Sequence, residues 1–189
     1  MAEPPVASWP TLGLILLVVG AGLSGCVRQA PPPAADRTYE LVAAHSRQCL
    51  DVEGSSSADG AQVLQWTCGG QANQQWRVVD SPGGGVRLIA RHSGKCLSAA
   101  GADPDNLEAV VQESCVEDGS RTDQRWNLRG QQGWGIAAKP EATYQIESAA
   151  AGTCLDVEGS SKEDGARVLQ YDCGSRTPNQ QWLFVPAVP

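Results

Sequence analysis

Three segments of the chain repeat one spacing of cysteine, glutamine and tryptophan. In each segment a second cysteine stands 19 residues after the first, and a Gln-x-Trp motif follows it. The cysteines are Cys49 and Cys68, Cys96 and Cys115, and Cys154 and Cys173, and the motifs end at Trp76, Trp126 and Trp182. A repeat of this length indicates a fold of supersecondary units that bury their apolar faces only against one another.

Within each repeat, turn residues separate short apolar segments. An Asp-Gly pair, at 59–60 and 164–165, follows the first cysteine in the first and third repeats, and Asn106 takes the aspartate position in the second. Such pairs are typical of tight hairpins. The predicted returning strands, rich in β-branched residues, are 61–66, 109–112 and 166–171. The pattern predicts about four short strands per repeat and an all-β domain without a long helix.

The motifs resemble those of the ricin B-type lectin family. Two Gln-x-Trp motifs extend to Asn-Gln-Gln-Trp, at 73–76 and 179–182, and two first cysteines open a Cys-Leu-Asp-Val motif, at 49–52 and 154–157. The resemblance covers about residues 38–186, and its threefold occurrence makes it specific. It implies a β-trefoil of three pseudo-symmetric repeats with about twelve strands, six in a barrel and six in capping hairpins. The expected repeats are about 38–82, 84–130 and 143–186.

Two features of the repeats are interpreted as scaffold. A tryptophan closes every repeat, including the one whose other motifs are degraded, which favours core packing over ligand contact. Among the pairings that six cysteines allow, only pairing within each repeat respects the repeat. Zinc binding is the competing interpretation, but cysteines this far apart with no nearby partner do not have zinc-ligand spacing. We therefore expect one disulfide per repeat.

The N-terminus resembles a bacterial lipoprotein signal sequence. Residues 12–23 form an apolar run that is short for a membrane span, and it ends in Leu-Ser-Gly-Cys at Cys26. The resemblance implies a signal peptide at 1–25, lipidation of Cys26, a proline-rich tether at 26–37 and a domain at 38–189. The absence of lysine and arginine before the run departs from the pattern, so a misplaced start codon and an ordinary secretory signal are the alternatives. Disulfides also require an oxidising compartment, so we expect an extracytoplasmic protein of the cell envelope, with the outer membrane favoured and secretion as the alternative.

The resemblance implies one shallow sugar pocket per complete repeat, made by an aspartate, an aromatic residue, an asparagine and a glutamine. An aromatic ring can cover the weakly apolar face of a sugar while a carboxylate and an amide bond its hydroxyls. The candidate residues are Asp51, Trp66, Asn73 and Gln74 in the first repeat and Asp156, Tyr171, Asn179 and Gln180 in the third.

The second repeat lacks this set. Ser98, Glu113 and Asp123 take the aspartate, aromatic and asparagine positions, while Gln124 and Trp126 remain. Because the second repeat has lost the polar and the aromatic residues together, the pattern predicts two working pockets, in the first and third repeats. The alternative is that the aspartates only brace turns and the aromatic residues only pack.

Charge and motif content argue against other functions. A net charge of −7 repels nucleic acid. His45 and His92 occupy one repeat position in different repeats, so they should not converge on a substrate, and neither a nucleophile elbow nor a phosphate loop occurs. We expect a monomeric, non-catalytic carbohydrate-binding protein that needs no cofactor or metal. A protein-binding trefoil and a targeting module for a separate polysaccharide hydrolase are the alternatives. Galactose-, xylose- and mannose-type ligands all fit the pattern.

Overall fold

The computed structural model describes residue 1 and residues 33–99, 107–131, 142–175 and 177–188. The apolar run at 12–23, Cys26, the first part of the tether and Asn106 lie outside the described residues. Within those ranges no helix combines the length and the apolar character needed to cross a membrane.

The described residues contain twelve short strands, four from each repeat. The first repeat supplies β1 (Thr38–Ala43), β2 (Cys49–Val52), β3 (Ala61–Trp66) and β4 (Gln75–Asp80). The second supplies β5 (Val86–Ala90), β6 (Cys96–Ala99), β7 (Val110–Glu113) and β8 (Trp126–Gln131), and the third supplies β9 (Thr143–Ser148), β10 (Cys154–Val157), β11 (Val168–Tyr171) and β12 (Trp182–Pro186). The helical segments are single 3₁₀ turns at Glu53–Ser55, Ala72–Gln74, Thr122–Gln124, Glu158–Ser160 and Pro178–Gln180.

The outer strands of the three repeats close into a barrel. β1 pairs with β4 and β12, β5 pairs with β4 and β8, and β9 pairs with β8 and β12, all antiparallel. The two inner strands of each repeat form a hairpin instead, as β2–β3, β6–β7 and β10–β11. A ring of six strands has no free edge, and three hairpins remain to cap it. This arrangement confirms the expected β-trefoil.

The three repeated tryptophans lie in one core. Trp76, Trp126 and Trp182 are fully buried, and each indole Nε1 donates a hydrogen bond to a main-chain carbonyl of its own repeat. The acceptors are Leu50, Leu97 and Leu155, at 2.9, 3.1 and 3.1 Å. The scaffold interpretation of these residues is therefore confirmed.

One disulfide lies within each repeat, as the sequence indicated. The bonds join Cys49 to Cys68, Cys96 to Cys115 and Cys154 to Cys173. Each bond links the first residue of an inner strand to the segment that follows its hairpin partner, and so holds the two ends of the hairpin together.

Two of the predicted returning strands have different ends. β7 begins and ends one residue later than predicted, and β11 begins two residues later. Ala109 and Arg167 instead form isolated bridges to strands of other repeats. The sequence pattern missed this because the pairing partner lies outside the repeat.

The end of the predicted tether packs against the domain. The main-chain nitrogen of Asp36 donates to the Val78 carbonyl at 2.7 Å, and Val78 donates back to the Arg37 carbonyl at 2.9 Å. The Ala34 nitrogen also reaches the Tyr39 hydroxyl, at 2.9 Å. Proline-rich composition predicted an unpacked segment up to residue 37, and this is wrong for Asp36 and Arg37, which extend the pairing of β1 with β4, and for Ala34, which contacts Tyr39.

Removing one disulfide should destabilise the domain measurably. Each bond closes a loop of about 20 residues, so the double variant Cys154→Ala/Cys173→Ala should lower the free energy of unfolding by about 3 kcal/mol through unfolded-chain entropy. Urea denaturation followed by tryptophan fluorescence measures the change. Cys26→Ser serves as the control and should unfold like the wild type. Equal stability of the double variant and the wild type would contradict the expectation.

Candidate functional site

The predicted residues of the first repeat meet around one buried carboxylate. Asp51 lies on β2, and Asn73 and Gln74 lie on the 3₁₀ turn that precedes β4. Asn73 Nδ2 donates to Asp51 Oδ1 and Gln74 Nε2 donates to Asp51 Oδ2, both at 2.9 Å. Trp66 ends β3 beside them. This group of Asp51, Trp66, Asn73 and Gln74 is called site one below.

The side-chain amides of Asn73 and Gln74 differ in how fully the protein satisfies their hydrogen-bonding groups. Gln74 is fully buried, its second Nε2 hydrogen bonds the Thr67 carbonyl at 3.0 Å, and its Oε1 accepts from the Gly69 nitrogen at 2.7 Å. Asn73 Nδ2 also bonds the Val52 carbonyl, at 3.1 Å, while its Oδ1 has no partner among the described residues. Gln74 therefore orients the carboxylate, whereas Asn73 Oδ1 is buried without a partner among the described residues.

The third repeat builds the same arrangement, called site three, from Asp156, Tyr171, Asn179 and Gln180. Asn179 Nδ2 donates to Asp156 Oδ1 at 2.8 Å, and Gln180 Nε2 donates to Asp156 Oδ2 at 2.9 Å. The second Nε2 hydrogen of Gln180 bonds the Asp172 carbonyl at 2.9 Å. Both glutamines are thus saturated by the protein.

An accessible aromatic ring stands beside each buried carboxylate. Trp66 is 46% exposed and Tyr171 is 43% exposed, whereas the core tryptophans are fully buried. The alternative that these two residues merely pack inside the protein does not fit this exposure. Large aromatic surfaces left accessible next to buried polar groups are typical of binding sites.

Site one opens into a cavity of about 320 Å³. Its lining includes residues that the sequence interpretation did not name as site residues: Glu53, Gly54, Ser55, Leu64, Gln71 and Gly165. The Glu-Gly-Ser motif recurs at Glu158–Ser160, so the repeat itself could have indicated the first three. Gly54 and Ser55 both take positive φ, 59° and 51°, which turns the chain sharply beside Asp51.

Burial changes the titration of both central carboxyls. Desolvation raises the pKa of Asp51 and of Asp156 above the ordinary aspartate value, and hydrogen bonds from the glutamine and asparagine amides oppose this only in part. Each site therefore holds a buried carboxyl group whose hydrogen-bond donors are two side-chain amides.

The second repeat uses its equivalent space for an ion pair. Ser98 Oγ donates to Asp123 Oδ2 at 2.7 Å, and Arg121 Nε and Nη2 bond the same carboxylate at 2.9 and 2.5 Å. Burial acts to raise the pKa of Asp123, but the bonds from Arg121 and Ser98 outweigh it and lower the pKa. Glu113 takes the place of the aromatic residue. The carboxylate here is neutralised within the protein, and among the described residues the position of the aromatic ring is taken by a glutamate.

The two histidines contact different hairpin turns. His45 Nε2 donates to the Ser161 carbonyl and His92 Nε2 to the Ser56 carbonyl, each at 2.8 Å. Because a carbonyl only accepts, Nε2 carries the proton in both. Each histidine thus joins its own repeat to a turn of a different repeat.

Comparison with known families decides the identity of the domain. Residues 84–187 match the ricin-type beta-trefoil lectin domain, and residues 29–113 match the ricin-type beta-trefoil lectin domain-like family. The chain belongs to the ricin-type β-trefoil lectin family. Carbohydrate binding is the property that this family assignment supports for the lectin domain.

Solved structures resemble this lectin domain over most of its length. A designed three-fold symmetric protein, ThreeFoil, is 39% identical, with a TM-score of 0.67 over 78% of this chain and 97% of that one. The Rhizoctonia solani agglutinin is 25% identical, with a TM-score of 0.66 over 83% and 99%. An exo-beta-1,3-galactanase from Clostridium thermocellum is 30% identical, with a TM-score of 0.68, and the match spans 82% of this chain but 31% of the galactanase.

The carboxyls of Asp51 and Asp156 should titrate at higher pH than those of exposed aspartates. Asp59 and Asp118 are the internal controls, because hydrogen bonds lower the pKa of each. Carbon-13 NMR of the side-chain carboxyls across an acid titration measures all four. Since the folded state binds the proton of Asp51 or Asp156 more tightly than the unfolded chain does, each should add to the free energy of unfolding as the pH falls through its raised pKa. Titration of all four carboxyls together would contradict the burial argument.

Proposed function

We propose that this lectin domain binds glycans without catalysing their conversion, through site one and site three. The observation that carries the proposal is a buried carboxylate, held by two amides and placed beside a half-exposed aromatic ring, which occurs in both repeats. The repeat without the aromatic residue also lacks the free carboxylate. A purely structural role for the aspartates would not require an exposed ring next to each of them.

The chemistry of site one suits one face of a sugar ring. The Trp66 ring can cover the C–H face, and each oxygen of Asp51 accepts one bond from an amide while keeping a second lone pair for a sugar hydroxyl. Hydrogen bonds to a carboxylate are stronger than those between neutral groups. Gln74 contributes by holding the carboxylate in place.

A role beside a hydrolase is the second candidate. It is favoured by the galactanase similarity, because the aligned part covers 31% of that enzyme and leaves most of its chain for other functions. In this candidate the domain would hold a polysaccharide while a separate enzyme cleaves it. Both candidates use the same two sugar sites, so they differ in the partner and not in the binding chemistry.

We propose that the domain works outside the cytoplasm, attached to the cell envelope through a lipid on Cys26. The three disulfides support an oxidising compartment. The Leu-Ser-Gly-Cys sequence supports the anchor. The proline-rich residues that follow Cys26 would keep the sugar sites away from the membrane surface.

Removing either Asp51 or Asp156 should abolish detectable sugar binding at the site to which that residue belongs. A glycan array first identifies a ligand, and calorimetry then counts sites for Asp51→Ala, Asp156→Ala and the double variant. Loss of the charged acceptor should weaken the affected site about 10- to 100-fold, since bonds to charged groups contribute about 1.5–3 kcal/mol. Each single variant should therefore keep one site, and the double variant none.

The matched control is Ser98→Ala, which alters the equivalent position of the second repeat and should leave the stoichiometry unchanged. Near-ultraviolet circular dichroism checks that all variants are folded. A folded double variant that binds the same glycan with wild-type affinity would overturn the two-site proposal and favour a different binding surface, such as that of a protein-binding trefoil.

Lipidation of Cys26 can be tested separately from sugar binding. Bacterial cells that express the wild type or Cys26→Ser are supplied with a labelled fatty acid, and the protein is then recovered by immunoprecipitation. Label should enter the wild type only, and Cys26→Ser should move from the membrane fraction to the soluble fraction. Equal labelling of both proteins would refute the anchor and leave ordinary secretion as the explanation.

A further inference from the structure

Each hairpin turn of the fold reaches across to a strand of another repeat. The turn residues Gly60, Leu107 and Gly165 occupy the same repeat position. Each donates its main-chain nitrogen, at 2.9 Å, to the carbonyl of a glutamine in a different repeat. The acceptors are Gln112, Gln170 and Gln65, respectively. In the first and third repeats this glutamine directly precedes the aromatic residue of the sugar site.

At site one the turn residue from the neighbouring repeat lines the pocket. Gly165, from the third repeat, lines the site-one cavity. A Cβ built on Gly165 would lie 3.6 Å from Cζ3 of Trp66. Any side chain at this turn position would therefore begin in contact with the aromatic ring of the neighbouring repeat. Glycine leaves that side of the ring uncovered.

The same backbone pairing joins the second repeat to site three. Leu107 donates to the Gln170 carbonyl, and Gln170 donates back to the Glu108 carbonyl, both at 2.9 Å. This matches the pair of bonds, also 2.9 Å, that Gln65 makes with Gly165 and Ala166 at site one. The equivalence places the Leu107 side chain beside the Tyr171 ring, at the position that Gly165 leaves empty beside Trp66.

Leucine is an unfavourable residue for this turn. At each turn two successive residues, such as Gly165 and Ala166, pair with one glutamine of the neighbouring strand. The first of the two has φ near 80°, which is the geometry of a β-bulge that ordinarily requires glycine. Gly60 and Gly165 follow that rule at φ 78° and 83°, but Leu107 takes φ 84°. Leu107 is also 58% exposed, so burial of its side chain does not offset the strain. A strained, exposed apolar residue next to a binding site indicates a functional role.

Leu107 does not close site three. If its side chain folded over the ring, Tyr171 would be buried, yet Tyr171 is as accessible as Trp66. Leu107 and Tyr171 both stay accessible, so together they can offer a sugar more apolar surface than a glycine and an aromatic ring do. A bare hydroxyl set against the leucine would lose contact with water, whereas a methyl group would gain from the same contact.

We propose that Leu107 is a specificity-determining residue of site three and selects sugars that carry a methyl group next to the stacked face. Site one, which has Gly165 at that place, does not discriminate. The methyl group can come from an acetamido substituent or from a 6-deoxy position, which share this chemistry. The inference rests on the proposed function, since it needs site three to bind sugar.

Single-site variants separate the two specificities. Asp51→Ala leaves site three, and Asp156→Ala leaves site one. Calorimetry compares galactose and glucose with their N-acetylated and 6-deoxy forms on each variant. At site three a methyl-bearing form should bind about three- to fivefold more tightly than its parent sugar, the ratio expected when apolar surface covers one methyl group. At site one the ratio should stay near one. If the N-acetylated form binds more tightly, the methyl group is that of an acetamido substituent. If the 6-deoxy form binds more tightly, it is the methyl group of a 6-deoxy sugar.

The deciding variant is Leu107→Gly, which relieves the backbone strain and should fold at least as well as the wild type. In the Asp51→Ala background it should lower the ratio of affinities for the methyl-bearing and parent sugars to about one. In the Asp156→Ala background, the matched control, it should change nothing. Persistence of the preference in Leu107→Gly, or equal weakening of both members of a pair, would overturn the role of Leu107 while the two-site function stands. A folded Asp51→Ala variant that binds no sugar would overturn both proposals.

Discussion

One hydrogen bond, made three times, connects the core of this protein to its binding chemistry. The indole of Trp76 bonds the carbonyl of Leu50, the residue next to Asp51. Gln74, two residues before that tryptophan, bonds the Asp51 carboxylate. Gln74 ends the 3₁₀ turn and Trp76 lies on β4, so the two side chains leave the chain in different directions. The tryptophan lies in the core, and the glutamine reaches the carboxylate. Packing of the core therefore sets the position of the carboxylate.

The buried carboxylate is the costly element of each site, and the fold satisfies it in two ways. In the first and third repeats two amides solvate it and leave lone pairs free, so it remains available to a hydroxyl. In the second repeat Arg121 forms an ion pair with the Asp123 carboxylate, which is then not available to a ligand. The same backbone thus holds either a carboxylate with free lone pairs or a carboxylate paired with a cation.

Much of the site was predictable because its parts recur at fixed offsets from the cysteines and the tryptophan. Asp51, Asn73 and Gln74 come together as expected, and their counterparts in the third repeat do the same. The sequence did not reveal that both glutamines are fully hydrogen-bonded within the protein. Their saturation depends on main-chain groups, such as the Thr67 carbonyl and the Gly69 nitrogen, whose directions no residue pattern specifies.

The sequence by itself determined the repeat unit, the disulfides within it, the core tryptophans and the residue types of the two sites. These features are local, because each involves residues of one repeat at a constant spacing. Only the tertiary structure decided which repeats touch. Gly165 lies about 100 residues from the Trp66 ring that it adjoins, and Leu107 stands next to a site of a different repeat. Each candidate site is shared between repeats because closure of the barrel brings three separate hairpins together, and the repeat spacing does not specify which repeats will touch.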